Sequence, residues 1–194
     1  MTLSKSETFE QEALPHLDAV YRFALRLTGS PSEAEDLVQE TFLRAFRAWD
    51  QYTLGTKAKS WLFTICRNTF LRGQERDTRR DELVTEAAQS DSDSDDRIYE
   101  SPIFAGKADY DPEGDFFRGL VDDEILEAID GLPDDFREAV VLSDLQGMSY
   151  QEVEEVLDVP LGTVKSRLFR GRKMLQKALY EYALESGFLK EGET

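Results

Sequence analysis

Between Asp81 and Asp123 the chain carries 14 acidic residues against 3 basic ones, including the run SDSDSDD at Ser90–Asp96 and the prolines Pro102 and Pro112. So polar and charged a segment buries too little apolar surface to offset the entropy of ordering it. At about 40 residues it is also longer than the connections found inside compact domains. The segment therefore divides the 194-residue chain. The expectation is an all-α protein of two small helical domains, residues 1–80 and 121–194, joined by an acidic flexible linker over 81–120.

Composition excludes several classes. One Cys and one His rule out an internal disulfide and fall short of the four or so ligands of a zinc site, so no metal and no cofactor is expected. No apolar run reaches the ~18 residues of a membrane span, and the first residues show neither the apolar core nor the basic flank of a signal peptide. The expected location is the cytoplasm. No Gly-rich phosphate loop and no Ser/His/Cys constellation points to an enzyme. The formal net charge of −17 opposes binding of the whole chain to nucleic acid, but the charge is not evenly spread. Residues 1–80 are nearly neutral, with 12 basic and 11 acidic groups. Glu124 to Gly162 holds 11 acidic residues and only Arg137, whereas Thr163 to Lys177 holds six basic residues and no acidic one.

In the first domain, Phe9, Leu14, Leu17, Val20, Tyr21, Ala24, Leu25 and Leu27 recur at helical spacing and predict one helix closed by Gly29. Ser30 as N-cap and Pro31 at the first helical position start a second, running to about Trp49. Its expected buried stripe is Leu37, Val38, Phe42, Ala45, Phe46 and Trp49, leaving Asp36, Gln39, Glu40, Leu43, Arg44 and Arg47 on the other side. A polar loop from Asp50 to Lys57 leads to a third helix near Ala58. The polar side of that helix presents Lys59, Ser60, Arg67, Asn68 and Arg72 around Trp61 and Phe70. Rings beside cations suit single-stranded nucleic acid, although rings at such spacing are more often core. Cys66 reads as a buried small hydrophobe, and His16 as a surface helix residue.

In the second domain, Val121, Ile125, Leu126, Ile129 and Leu132 predict a helix, and Pro133-Asp134-Asp135 starts another that ends at Gly147. Ser149 with Glu152 three residues on is a capping-box spacing for a short helix, Tyr150 to Leu157. After the turn Asp158-Val159-Pro160 comes a basic helix with Thr163 as a candidate N-cap. Two such helices about a turn apart form a helix-turn-helix, whose second helix enters the major groove. Val164, Leu168 and Leu175 face inward. Thr163, Lys165, Ser166, Arg167, Phe169 and Arg170 are the outward candidates for base edges, and Arg172, Lys173 and Lys177 for phosphates.

Two strings taken together, AEDLVQETFLRAFRAW with KSWLFTICRNTF and Arg79-Arg80, then AIDGLPDDFREAVVLSDLQGMSYQEVEEVLDVPLGTVKSRLFRGRKML, resemble the bacterial sigma-70 family of RNA polymerase sigma factors, extracytoplasmic-function (ECF) group. The resemblance covers about residues 8–80 and 120–184. It implies a non-enzymatic factor that binds core RNA polymerase through its beta and beta-prime subunits, recognises −10 and −35 promoter DNA and promotes melting. It assigns core binding to Asp36, Gln39, Glu40, Leu43, Arg44 and Arg47. It assigns a flipped −10 base to the loop with Asp50, Gln51, Tyr52, Thr53 and Lys57, and the −10 strand to Lys59, Ser60, Trp61, Arg67, Asn68 and Arg72. The −35 element falls to Thr163, Lys165, Ser166, Arg167, Phe169, Arg170, Arg172 and Lys173. It implies an anti-sigma factor as a further partner; the second string is most similar to the subgroup whose anti-sigma partners bind zinc and sense redox state. It also implies that the linker threads polymerase channels, against a plain solvated spacer. The chain departs from the family pattern at Gly73, Glu75 and Asp77, at Glu154 and at Asp158. The competing reading is a stand-alone helix-turn-helix regulator.

Overall fold

The computed structural model describes residues 4–88 and 123–185, so the body of the acidic linker lies outside the described residues. Every regular element among the described residues is helical.

Helix α1 (Lys5–Glu12) opens with a capping box: the Ser4 side chain accepts from the Glu7 N–H, and the Glu7 carboxylate accepts from the Ser4 N–H. The single first helix expected from periodicity is in fact two. Pro15 has no N–H to donate and its ring clashes with the preceding turn, so the chain passes through a 3₁₀ turn, Leu14–His16, before α2 (Leu17–Thr28). His16 is therefore half-buried on that turn rather than on a helix surface, and burial pulls its pKa down, helped by the nearby Lys59 charge. Gly29 adopts φ +68 and donates its N–H to the Leu25 carbonyl at 2.8 Å, a left-handed closure that glycine makes without steric cost.

Helix α3 (Pro31–Arg47) ends before Trp49, which lies in a 3₁₀ turn, Trp49–Gln51. Leu37, Val38, Phe42 and Ala45 are buried as expected, together with Ala34 and Thr41. Phe46 is not: it remains 39% exposed beside Leu43 at 44%, at the edge of a buried stripe that passes through Ala45, with its ring 5.2 Å from that of Phe9. Ser30 starts α3 without a side-chain cap. Helix α4 (Ala58–Ala88) continues past residue 80 and buries Leu62, Phe63 and Cys66 against α2 and α3. Phe23 and Phe63 lie 5.0 Å apart, centroid to centroid, both with no exposed surface. Each such ring contributes up to about 3 kcal/mol of burial free energy.

The second domain begins with α5 (Asp123–Asp130), slightly shorter than the Val121–Leu132 pattern, then α6 (Asp134–Val140), which runs into a π turn at Val141–Leu145. The helix-turn-helix follows. Helix α7 (Tyr150–Leu157) has the expected bounds and the full Ser149/Glu152 capping box, and buries Val153, Val156 and Leu157. Asp158 turns the chain with φ +53 and ψ 48. Helix α8 (Leu161–Ala178) starts after Pro160, two residues before the N-cap expected at Thr163. Its first turn is closed instead by Glu154, whose carboxylate accepts the Leu161 N–H at 2.9 Å. Val164 and Leu168 are buried, Leu175 is partly so, and a short α9 (Tyr180–Glu185) closes the described chain.

Candidate functional site

Three surfaces carry the expected functional residues. On α3, Asp36, Gln39, Leu43 and Arg47 are exposed, while Glu40 and Arg44 are half-exposed and joined by an i,i+4 ion pair of 2.6 Å. This face is therefore charged at its edges and apolar at Leu43 and Phe46. That combination suits a protein partner, where apolar contact supplies affinity and charge supplies orientation.

The second surface is built by the loop after α3 and the first turns of α4. Trp49 and Tyr52 stack at 4.5 Å and 26°, and Trp61 lies 5.2 Å from the Tyr52 ring. The Trp49 indole N–H donates to the Thr8 hydroxyl at 3.0 Å, so α1 fixes the stack from behind. The loop tip is fixed as well. The Gly55 N–H donates to both Glu12 carboxylate oxygens, at 2.9 and 3.1 Å, and the Thr56 hydroxyl donates to the Thr53 carbonyl at 2.6 Å. Asp50 pairs with Lys5 at 2.6 Å. The result is an open hollow of about 480 Å³ lined by Gln51, Tyr52, Thr53, Thr56, Lys57, Ser60, Trp61 and Thr64, with Glu155 of the second domain at its rim. Burial pushes the Tyr52 phenol up from its ordinary pKa. A hollow lined by rings and hydroxyls can hold a planar, hydrogen-bonding group such as an unstacked base.

Further along α4, the expected strand-binding residues divide. Asn68 and Arg72 are exposed. Lys59, Ser60 and Arg67 are covered by the second domain. Lys59 Nζ donates to the Gln146 carbonyl at 2.5 Å, the Ser60 hydroxyl donates to Glu152 at 3.4 Å, and Arg67 Nε donates to Glu138 at 2.8 Å. Desolvation lowers the Lys59 pKa. It raises that of Glu138, against the opposing pull of Arg67. None of these cross-domain pairs could be read from the sequence, because no local spacing relates residues 71 to 92 positions apart.

The third surface is α8. Lys165, Ser166, Phe169, Arg170 and Lys173 are exposed, and Phe169 stands out at 71%. Thr163 is half-exposed. Arg167, expected to point outward, lies against α6: its guanidinium pairs with Asp135 at 2.8 Å and its side chain is only 17% exposed. Arg172 is gripped by both Asp144 oxygens, at 2.6 and 3.0 Å, and donates to the Tyr150 hydroxyl at 3.2 Å. Sequence reading also missed Gly171. A Cβ there would sit 2.9 Å from Val140 Cγ2 and 3.4 Å from Phe136 Cβ, so the absence of a side chain sets how closely α8 approaches α6. Among the described residues no cluster of His, Cys, Asp and Glu could hold a metal ion, and no helix is long and apolar enough to cross a membrane.

Comparison with known proteins places these surfaces in context. Residues 14–80 match the Sigma-70 region 2 family, and residues 122–175 match Sigma-70, region 4. The ECF RNA polymerase sigma factor SigE of Mycolicibacterium smegmatis is 38% identical over 187 residues, covering 92% of this chain and 67% of that protein. The ECF RNA polymerase sigma factor SigW of Bacillus subtilis is 31% identical over 162 residues, covering 84% and 83%. Among solved structures, the sigma factor RpoE of Bartonella quintana, in complex with the anti-sigma factor NepR, aligns with a TM-score of 0.63 at 32% identity over 89% of this chain and 96% of that one.

Proposed function

The chain belongs to the ECF group of the sigma-70 family, and from that premise we propose how its surfaces divide the work of transcription initiation. It binds core RNA polymerase, recognises the −10 and −35 promoter elements and promotes melting. It makes and breaks no covalent bond itself, and it acts in the cytoplasm, where the polymerase is.

The exposed α3 face, with Leu43 and Phe46 between Asp36, Gln39, Glu40, Arg44 and Arg47, docks on the polymerase. The hollow beside Trp61 takes a base flipped from the −10 element, with Lys57, Lys59, Ser60, Arg67, Asn68 and Arg72 following the strand. Capture of unstacked bases is what pulls the duplex open. Helix α8 reads the −35 element as duplex in the major groove, through Lys165, Ser166, Phe169 and Arg170. Arg and Lys donate to guanine acceptors, and Phe169 meets a thymine methyl. Lys173 adds a phosphate contact, while Arg167 and Arg172, held by Asp135 and Asp144, fix the helix on its domain.

The observation that carries this reading is the presence of both regions on one chain, in order; a stand-alone helix-turn-helix regulator has no use for the first. An anti-sigma factor is a further partner, as for the Bartonella relative. Cys66 is buried, with its thiol pushed by desolvation up to about 12, so a redox response would reside in that partner. The test is transcription by purified core polymerase on a promoter library. Promoter-specific transcripts should form only when the protein and core are both present. Nanomolar binding of bare duplex with no stimulation of core would sink the proposal.

A further inference from the structure

The loop that forms the base hollow is held from behind by a helix that does not line it. Helix α1 lies ahead of residues 14–80, the part matched to region 2, yet it grips the loop at three points. Lys5 pairs with Asp50, the Thr8 hydroxyl accepts from the Trp49 indole, and Glu12 accepts from the Gly55 N–H with both carboxylate oxygens. Positions 5, 8 and 12 recur at intervals of three and four, so they share one face of α1. The three grips are not equal. Asp50 is 77% exposed, and so open an ion pair holds little. Thr8 gives its one proton to the carbonyls of Ser4 and Lys5, which leaves a lone pair for Trp49, at the root of the loop. Of the three, only Glu12 acts at the tip. There the turn closes on itself through the Thr56 N–H and hydroxyl, both donated to the Thr53 carbonyl, and Gly55 takes φ +76. A Cβ on Gly55 would meet nothing within 4 Å, so glycine stands there for its backbone conformation and not for space.

Glu12 does nothing for its own helix. It is the last residue of α1, where the partial negative charge of the helix end disfavours a carboxylate. Its bond to Gly55 accounts for it. Resting on the reading of the hollow given above, we propose that Glu12 is a positioning residue for base capture. It presets the turn from Thr53 to Thr56, and with it a wall of the hollow, before any base arrives, and it touches no DNA. The Tyr52 hydroxyl has no accessible surface and lies near Glu12 and Thr56, so the hollow offers a base the ring and not the phenol. Released from Glu12, the loop spreads over several arrangements. The base that fits then binds with an affinity reduced by the fraction of loops still preset, because the cost of ordering the loop falls on the binding step. Bases that fit poorly owe less to that geometry and lose less. Discrimination at the flipped base is therefore set by a carboxylate on a helix outside the hollow.

The test is transcription by the full chain with core polymerase on templates randomised through the −10 and −35 elements, comparing wild type with E12A, E12Q, G55A and E10A. Gln at 12 keeps an acceptor for the Gly55 N–H. Glu10, exposed on the same helix and bonded to Ser6, gives the same charge change away from the loop. E12A should lower the yield from the preferred base at one −10 position about tenfold, as for a loop preset about one-tenth of the time, and flatten the preference there. Preferences at −35, core affinity and melting temperature should hold. E12Q should recover most of the loss, and E10A should match wild type. G55A, which strains the other end of the same bond without crowding it, should reproduce E12A. An unchanged −10 profile in both E12A and G55A, beside promoter-specific transcription by wild type, overturns the positioning role alone. A loss spread evenly over both elements, or one that E12Q fails to recover, assigns Glu12 to general stability and overturns the positioning role as well. Absence of promoter-specific transcripts from wild type overturns the proposed function, and the positioning role falls with it.

Discussion

Helices α4 and α8 both carry cations beside an aromatic ring, and they differ in what covers them. On α4, Lys59 and Arg67 are engaged by groups from the other domain. On α8, Lys165, Arg170 and Lys173 face solvent, and its inward cations pair within their own domain, Arg167 with Asp135 and Arg172 with Asp144. The difference teaches that a basic, ring-bearing face defines a chemistry but not its availability. Availability depends on which surface packs there, and the 11 acidic residues ahead of α8 supply part of the covering surface for α4.

The sharpest way to break the open side is Gly171→Val. The new side chain would press into Val140 and Phe136, and overpacking of this kind costs about 3 kcal/mol. Both tryptophans, Trp49 and Trp61, lie in the first domain. Helix loss followed by circular dichroism should therefore split into two transitions, with tryptophan fluorescence following only the later one. Coincident transitions would mean that the halves unfold as a unit.

A smaller effect separates reading from holding on α8. Arg170→Ala should reduce transcription from −35-dependent promoters about tenfold, the discrimination of one good base contact, with little change in melting temperature. Arg167→Ala removes the partner of Asp135 and should lower stability by about 1 kcal/mol, with the lesser effect on transcription. The reverse order would place Arg167 in the groove.

The smallest effect belongs to the cap that sets α7, the helix shared by both sides of the comparison. Ser149→Ala should cost about 1 kcal/mol at pH 7 in urea unfolding. Hydrogen bonds from Ser149 hold the Glu152 carboxyl below its ordinary value. The stability it contributes is therefore present above the ordinary carboxylate range and lost as the pH falls through the depressed folded value. The gap between wild type and variant should narrow on acidification and stay constant from pH 6 to 8.

What was legible in the sequence was local. The bounds of α7 follow from Ser149, Glu152 and Pro160, each acting within a few residues of itself. The start of α4 follows from the end of a polar loop, and the exposed Leu43 from its place opposite the apolar stripe. The break at Pro15 escaped because the 3₁₀ turn preserves the apolar rhythm across it. The inward turn of Arg167 escaped because helical spacing assigns a face and not a partner on α6. The Glu12 grip on Gly55, and every pair between the domains, depend on surfaces that meet only after folding.

Glu154 has one more consequence. The first turn of a helix carries about half a unit of positive charge and is a natural seat for a phosphate of the DNA backbone. At α8 that seat is filled by the Glu154 carboxylate. A duplex docked on this helix is therefore gripped by side chains alone at that end and displaces fewer condensed counterions. Its affinity falls less steeply with added salt than a bare helix terminus would dictate, by about one unit in the logarithmic slope for each phosphate forgone.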